Sequence, residues 1–482
     1  MSRRERFDAV ALTVLAVVPI ALGSARAAAE PPPGAPPEDH HERPAQYAAP
    51  GWSLPPASAL APEYPLAAQF IEADPTNYSP GGMGTVQYVV VHTMQGSYEG
   101  SINWFLNPDA DVSAHFCMRS ADGEITQMVQ LADKAWHVGT ENAVAVGIEH
   151  EGFVDDASWY TWEMYRESAK LARWLADHFG LPLDRDHIVG HVELPNQTHT
   201  DPGPNWDWPL YMALVKDVVA ADTIEGAIVD GSTPCPWVAT QDTWIKTTLQ
   251  SADALGDDAR CFVAAGTEVP YLHASGDLAG HVRVVLTDDG PCAGTAVAEQ
   301  GYAFAEHFSG ACDPATMVPS GASVQLDGGA ATATDERGGF ALGGVAAGTH
   351  ALSAGAPGYD AAALEVELAG YPGARVVIVL QPIPADDGGG DSGGGSEGGG
   401  STSDAPEDPA GTSGGEASSG TAAPDGPGAL PDTFGEGPEA PAGCACTAAQ
   451  GGGADPASGF AALTVVGLAA LRRRRRATHR PA

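Results

Sequence analysis

Basic residues are scarce in this chain. Among 482 residues, 23 are Lys or Arg against 62 Asp or Glu, a formal net charge of -39. Nucleic-acid binding needs clustered Lys and Arg to displace counterions, so nucleic acid is excluded as the partner. Between residues 384 and 443 there is no Lys or Arg, only a stretch dominated by Gly, Ser, Pro and acid. Such a composition cannot bury a core, and 383–443 is expected to be a disordered stalk. Long apolar runs are also missing. The apolar stretches at 10–22 and 460–471 are both short for a stable membrane span. Cysteine is sparse at 7, which fits an oxidising compartment. Cys235, Cys261, Cys292 and Cys312 cluster in one region and could form two disulfides, with three pairings open.

Both ends carry addresses. Arg3, Arg4 and Arg6 precede the apolar stretch 10–22, and Ala25-Arg26-Ala27 offers a small-x-small cleavage site. This pattern predicts an export signal over 1–29, followed by a Pro/Ala-rich linker over 30–62. At the other end, Gly443-Cys444-Ala445-Cys446 precedes an apolar stretch and the five arginines of 472–476. Residues 444–482 resemble the C-terminal sorting signals of exported myxobacterial proteins. That resemblance implies processing near Cys444 by sorting machinery and transient membrane contact through the apolar segment. The chain is expected at the cell surface or outer envelope, or released from it.

Between these ends the chain divides into three units. Residues 63–222 form an apolar-patterned block with strands expected at 85–92, 113–118, 124–129, 144–149 and 188–191. A helix is expected over 159–179, with Ser158 as its N-cap, Gly180 at its end and Pro182 beyond. Strands, helix, strand, loop and helix in this order predict an α/β domain with a central mixed sheet flanked by helices. Residues 235–312 read as a disulfide-containing β module. Its segment 239–246 resembles the start of bacterial SH3-like modules. Residues 315–382 resemble the carboxypeptidase-regulatory-like β-sandwich, through Gly339-Phe340 and Ala347-Gly348-Thr349.

The chemistry concentrates in the first unit. Segment 190–204 holds His191, His199 and Asp201 among Pro195, Pro202, Gly203 and Pro204, which forbid a helix. His92 ends an apolar run, and Glu149 ends another. Two histidines and one carboxylate suit zinc, leaving one position open for water. The motifs Val91-His92-Thr93, Ser113-Ala114-His115-Phe116, Ala135-Trp136-His137-Val138-Gly139 and Val146-Gly147-Ile148-Glu149, with the segment from His191 to Trp208, resemble the type 2 N-acetylmuramoyl-L-alanine amidases. This family includes phage wall lysins and peptidoglycan recognition proteins. The resemblance implies hydrolysis of the amide between N-acetylmuramic acid and L-alanine in peptidoglycan. It assigns His92, His191 and Asp201 to one Zn2+ and Glu149 to the acid/base role. His199 stands where many members carry Lys, and it can donate a hydrogen bond to developing negative charge. Trp136, His137 and Asn142 are the candidate substrate-binding residues.

Other residues have blander readings. His187 shares a strand face with His191 but too far off to join it, and is read as a surface residue. Cys117 near His115 is read as a small buried hydrophobe. His150 points to the opposite sheet face from Glu149, and Glu151 is the reserve acid/base candidate. Two competing functions remain: a recognition module that binds without cutting, and a surface adhesion protein in which the β modules do the work. The presence of Asp201 beside both histidines favours the enzyme.

Overall fold

The computed structural model describes residues 53–384. The export signal, the first part of the linker, all but the first two residues of the stalk and the C-terminal tail lie outside the described residues. In chain order the first unit carries β1 (Gln69–Phe70), β2 (Tyr78–Ser79), β3 (Tyr88–Thr93), α1 (Tyr98–Phe105), β4 (Phe116–Met118), β5 (Ile125–Gln127), β6 (Lys134–Ala135), β7 (Ala145–His150), α2 (Trp162–Phe179), β8 (Ile188–Gly190) and α3 (Trp208–Asp217).

The expected mixed sheet is present, in the order β1-β5-β4-β7-β3-β8. β3 pairs in parallel with β7 and with β8, and β4 pairs antiparallel with β5. Because side chains alternate along a strand, β3 sends Val89 and Val91 to one face and Val90 and His92 to the other. The first face packs with Val146 and Ile148 against Met164, Leu171 and Leu175 of α2 and Tyr211 of α3. Val89, Val90 and Val91 are all fully buried, each contributing roughly 1.5–3 kcal/mol. α1 covers part of the opposite face, where Tyr98, Ile102 and Phe105 cluster with Cys117 and Met128. α1 carries no clear helix signal in its pattern, because its eight residues include Gly100, Ser101 and Asn103, all weak helix formers.

α2 begins three residues later than expected. Thr161 is the N-cap and accepts from the backbone N–H of Met164, whereas Ser158 belongs to a separate short turn capped by Asp156. The helix ends as expected at Gly180, whose φ of 68° is the left-handed conformation that glycine tolerates.

The two later units are interleaved rather than consecutive. β9 (Thr223–Asp230) lies between the expected units 63–222 and 235–312. A second unit follows, with β10 (Cys235–Ala239), β11 (Thr243–Lys246), β12 (Arg260–Val263), β13 (Glu268–Leu278), β14 (His281–Leu286), α4 (Ala296–Glu299), β15 (Gly301–Phe304) and β16 (Phe308–Ser309). These seven strands form one sheet. Disulfides Cys235–Cys312 and Cys261–Cys292 staple it, one of the three open pairings. The third unit contributes β17 (Ser323–Leu326), β18 (Thr332–Ala333), β19 (Gly339–Gly343), β20 (Gly348–Gly355), β21 (Ala362–Leu368) and β22 (Ala374–Leu380). β9 lies between β19 and β22 in a three-stranded sheet, opposite the sheet β18-β17-β20-β21. Ile224 and Ile228 of β9 share a core with Val324, Leu352 and Val366. The sandwich therefore starts at β9, and the disulfide unit is inserted between its first strand and the rest.

Asp217, the last residue of α3, ties the units together. Its carboxylate binds Arg283 of the inserted unit, Arg375 of the sandwich at 3.2 Å and the Tyr302 hydroxyl at 2.7 Å.

Candidate active site

The site is assembled where β3, β7 and β8 end. Register places His92 opposite Glu149, and Glu149 opposite Cys117. Side chains in register share a face, so His92, Glu149 and Cys117 form a row across three strands. His191 begins the short turn that follows β8. The 190–204 loop then returns Asp201 to the strand ends, where its backbone C=O accepts from Val192 N–H at 3.0 Å. Tyr160 donates to the carbonyl of Pro202 at 2.8 Å and so anchors the loop just beyond Asp201.

His92, His191 and Asp201 meet in a buried cluster whose ligating atoms all lie within 4.8 Å of one another. Asp201 Oδ2 is 3.1 Å from His92 Nδ1, and Oδ1 is 3.1 Å from His191 Nδ1. Burial works against a charge on Asp201, but hydrogen bonds from His191 and His92 outweigh it and hold the carboxyl well below its usual range. Burial likewise opposes a proton on His92. The Asp201 hydrogen bond and the charges of Glu149 and Asp201 prevail and raise it.

The remaining ring nitrogens are fixed from behind. His137 Nε2 lies 3.2 Å from the carbonyl of Ala145. A carbonyl only accepts, so this nitrogen carries hydrogen. Burial, with the nearby His92 and His115, keeps His137 well below its ordinary pKa and hence neutral. Its Nδ1 is then bare and accepts from His92 Nε2 at 2.9 Å. His191 Nε2 meets Gln197 Oε1 at 2.8 Å. Gln197 Nε2 donates to the carbonyls of Val138 and Pro195, which fixes the amide so that Oε1 must accept. With Nε2 carrying hydrogen on both rings, loss of the proton that each Nδ1 directs at Asp201 would free that nitrogen's lone pair for a metal, and partners behind metal ligands commonly set orientation in this way. Gly147 permits the arrangement: a Cβ there would lie 2.6 Å from His137 Nδ1.

The structure places the candidate substrate-binding residues Trp136, His137 and Asn142 largely in the interior. His137 is 2% exposed, and its nitrogens are spent on His92 and Ala145. Asn142 is buried, and its Oδ1 accepts from the backbone of His137 and Val138 at 2.8 and 2.7 Å. Trp136 is buried and donates to Ser79 at 3.0 Å. Sequence reasoning missed Gln197, although it stands within the same loop as His191 and Asp201.

His199 is partly exposed and stacks on His191, with ring centroids 4.7 Å apart and planes 12° apart. Its Nδ1 is 3.9 Å from Asp201 Oδ1. Glu151, the reserve acid/base, is committed elsewhere: its oxygens accept from the backbone N–H groups of Tyr98 and Ser120. His150 is buried between the His92 carbonyl and Ser168, and burial lowers it to about 3. Cys117 is buried in the α1-side core, outside both disulfides. His187 is partly exposed and binds Asp184 at 2.7 Å.

Two imidazoles and a carboxylate meet at parallel strand ends, with a second carboxylate alongside, a group that could hold a metal ion. The chain belongs to the N-acetylmuramoyl-L-alanine amidase family. The family model of that description matches residues 82–204. The chain is 38% identical over 161 residues to N-acetylmuramoyl-L-alanine amidase A of Achromobacter lyticus, covering 30% of this chain and 90% of that protein. It is 37% identical over 113 residues to 1,6-anhydro-N-acetylmuramyl-L-alanine amidase AmpD of Escherichia coli, covering 22% of this chain and 59% of that protein. A solved selenomethionine derivative of AmpD matches at 27% identity and a TM-score of 0.28, over 32% of this chain and 99% of that one. The chain is accordingly an enzyme of the N-acetylmuramoyl-L-alanine amidase class.

Proposed function

We propose that the chain is an exported, zinc-dependent amidase that cuts peptidoglycan between the lactyl group of N-acetylmuramic acid and L-alanine. The observation that carries this is the buried trio of His92, His191 and Asp201, with both histidine Nδ1 atoms turned toward the same carboxylate. Such a donor set fits one Zn2+ and leaves a coordination position open. When bound, zinc supplies a Lewis acid for the scissile carbonyl and lowers the pKa of water to about 7.

The residues divide the remaining work. Hydrolysis breaks the carbonyl C–N bond, forms a carboxylate on the lactyl group and requires a proton on the departing amine. Glu149, half-buried beside His92, takes the proton of water and passes it to that amine. His199 donates a hydrogen bond to the developing oxyanion. His137 and Gln197 hold the ligand rings in orientation. The export signal argues for whole wall as substrate rather than the small anhydro-muropeptides for which the AmpD relatives are named.

Intact peptidoglycan incubated with the full chain is expected to release stem peptides with free N-terminal L-alanine. A chelator abolishes this release and zinc restores it, with products read by mass spectrometry. Binding to wall without cleavage, despite retained zinc, would shift the assignment to a recognition protein. His199→Ala is expected to lower turnover by about 10²–10³-fold, the range for loss of one oxyanion donor, with zinc content retained. Loss of zinc in that variant would make His199 a ligand and overturn its role as donor.

A further inference from the structure

A cleft of about 650 Å³ separates the inserted unit from the sandwich, well away in sequence from the amidase motifs. Its volume lies in the range of small-molecule sites, and domain junctions are favoured places for such sites. Its charged lining is unusual for this chain. Arg283, Arg337 and Arg375 line it against two carboxylates, Glu225 and Asp335, although acids outnumber bases 62 to 23 overall.

The three guanidinium groups are held in different ways. Arg283 and Arg375 are both fixed by Asp217, and Arg375 also binds Glu225 at 2.6 Å. Arg283 nonetheless keeps a buried Nε with no hydrogen-bond partner among the described residues, an uncommon state. Arg337 is exposed and has no ion pair among the described residues. It sits on a rigid turn, because Asp335 Oδ1 accepts from the backbone N–H groups of Arg337 and Gly339 at 2.8 and 2.7 Å. His273 also lines the cleft. Burial and the neighbouring Arg283 lower it to about 4, so at neutral pH it is an uncharged hydrogen-bonding group.

A guanidinium fork matches a carboxylate in geometry as well as charge. The proposed hydrolysis creates such a group on every muramic acid it strips, and the released stem peptide carries carboxylates of its own. We propose that the cleft is a second, non-catalytic site that binds a carboxylate of peptidoglycan fragments, with Arg337 as its free cation. The proposal rests on the amidase reading for the choice of ligand only.

The test uses the full chain and three probes measured by calorimetry: peptide-free glycan strands with lactyl carboxylates, the same strands with those carboxyls amidated, and free stem peptides. At least one carboxylate probe is expected to bind, and which one identifies the source. The amidated strands bind at least tenfold more weakly, and Arg337→Ala weakens the carboxylate probe about tenfold. Ala341→Glu, which puts a carboxylate into the cleft from an exposed position of β19, gives a comparable loss. Neither variant alters turnover of a soluble muropeptide. Equal binding of amidated strands, binding unaffected by both variants, or no binding of any probe would overturn the site. None of the probes needs cutting, so a chain that binds through Arg337 but cleaves nothing refutes only the amidase reading. A chain that cleaves with no Arg337 effect refutes only the cleft.

Discussion

Asp201→Asn is expected to remove both bound zinc and activity. Each Asp201 oxygen approaches a different histidine, 3.1 Å away in both cases, so the carboxylate bridges the two rings and supplies the only negative charge in the trio. An amide keeps the shape but loses that charge, and one of its two arms becomes a donor. The fall in zinc affinity should exceed the roughly 10–100-fold typical of residues behind the ligands. Metal content by elemental analysis, taken beside turnover on intact wall, checks it. A variant that retains stoichiometric zinc would show that Asp201 is not a ligand. His137→Ala offers a graded comparison: it leaves His92, His191 and Asp201 in place and removes the acceptor behind His92 together with the donor to the Ala145 carbonyl.

Glu149→Gln is expected to give the opposite signature, with zinc retained and turnover lowered by about 10²–10⁴-fold. Gln preserves the volume between His92 and Cys117 but cannot carry a proton. No neighbour can take over. Glu151 shares the strand-face parity of Glu149, yet both its oxygens are engaged by the backbone N–H groups of Tyr98 and Ser120. His150 faces the other side of the sheet and binds Ser168. Activity within a few-fold of the unmodified chain would remove Glu149 from the acid/base role.

The clustering of His92, His191 and Asp201 and the sheet were legible because both depend on local pattern. Apolar runs ending on His92 and Glu149 specify parallel strands with polar ends, and the Pro-rich 190–204 segment can only be a loop. What was not legible depends on depth. Trp136 and His137 read equally well as groove or core, and only the Ala145 and Ser79 hydrogen bonds assign them to the interior. Gln197 gave no signal, since its role arises from meeting Val138, far away in sequence. β9 was missed for a related reason. Its partners lie beyond an entire inserted unit, and no short-range pattern reports a pairing over that distance.

That separation has a kinetic consequence. β9 ends at Asp230, while its neighbours β19 and β22 begin at Gly339 and Ala374. Pairings across so long a loop form late, because the closure entropy is met before any contact rewards it. The inserted unit, whose strands pair among themselves and whose ends are joined by Cys235–Cys312, has mostly shorter closures to make. Its completion brings the chain back beside β9 and shortens the effective loop that the sandwich must close. The order of folding is thereby written into the insertion: the guest forms first, and the host is completed around it.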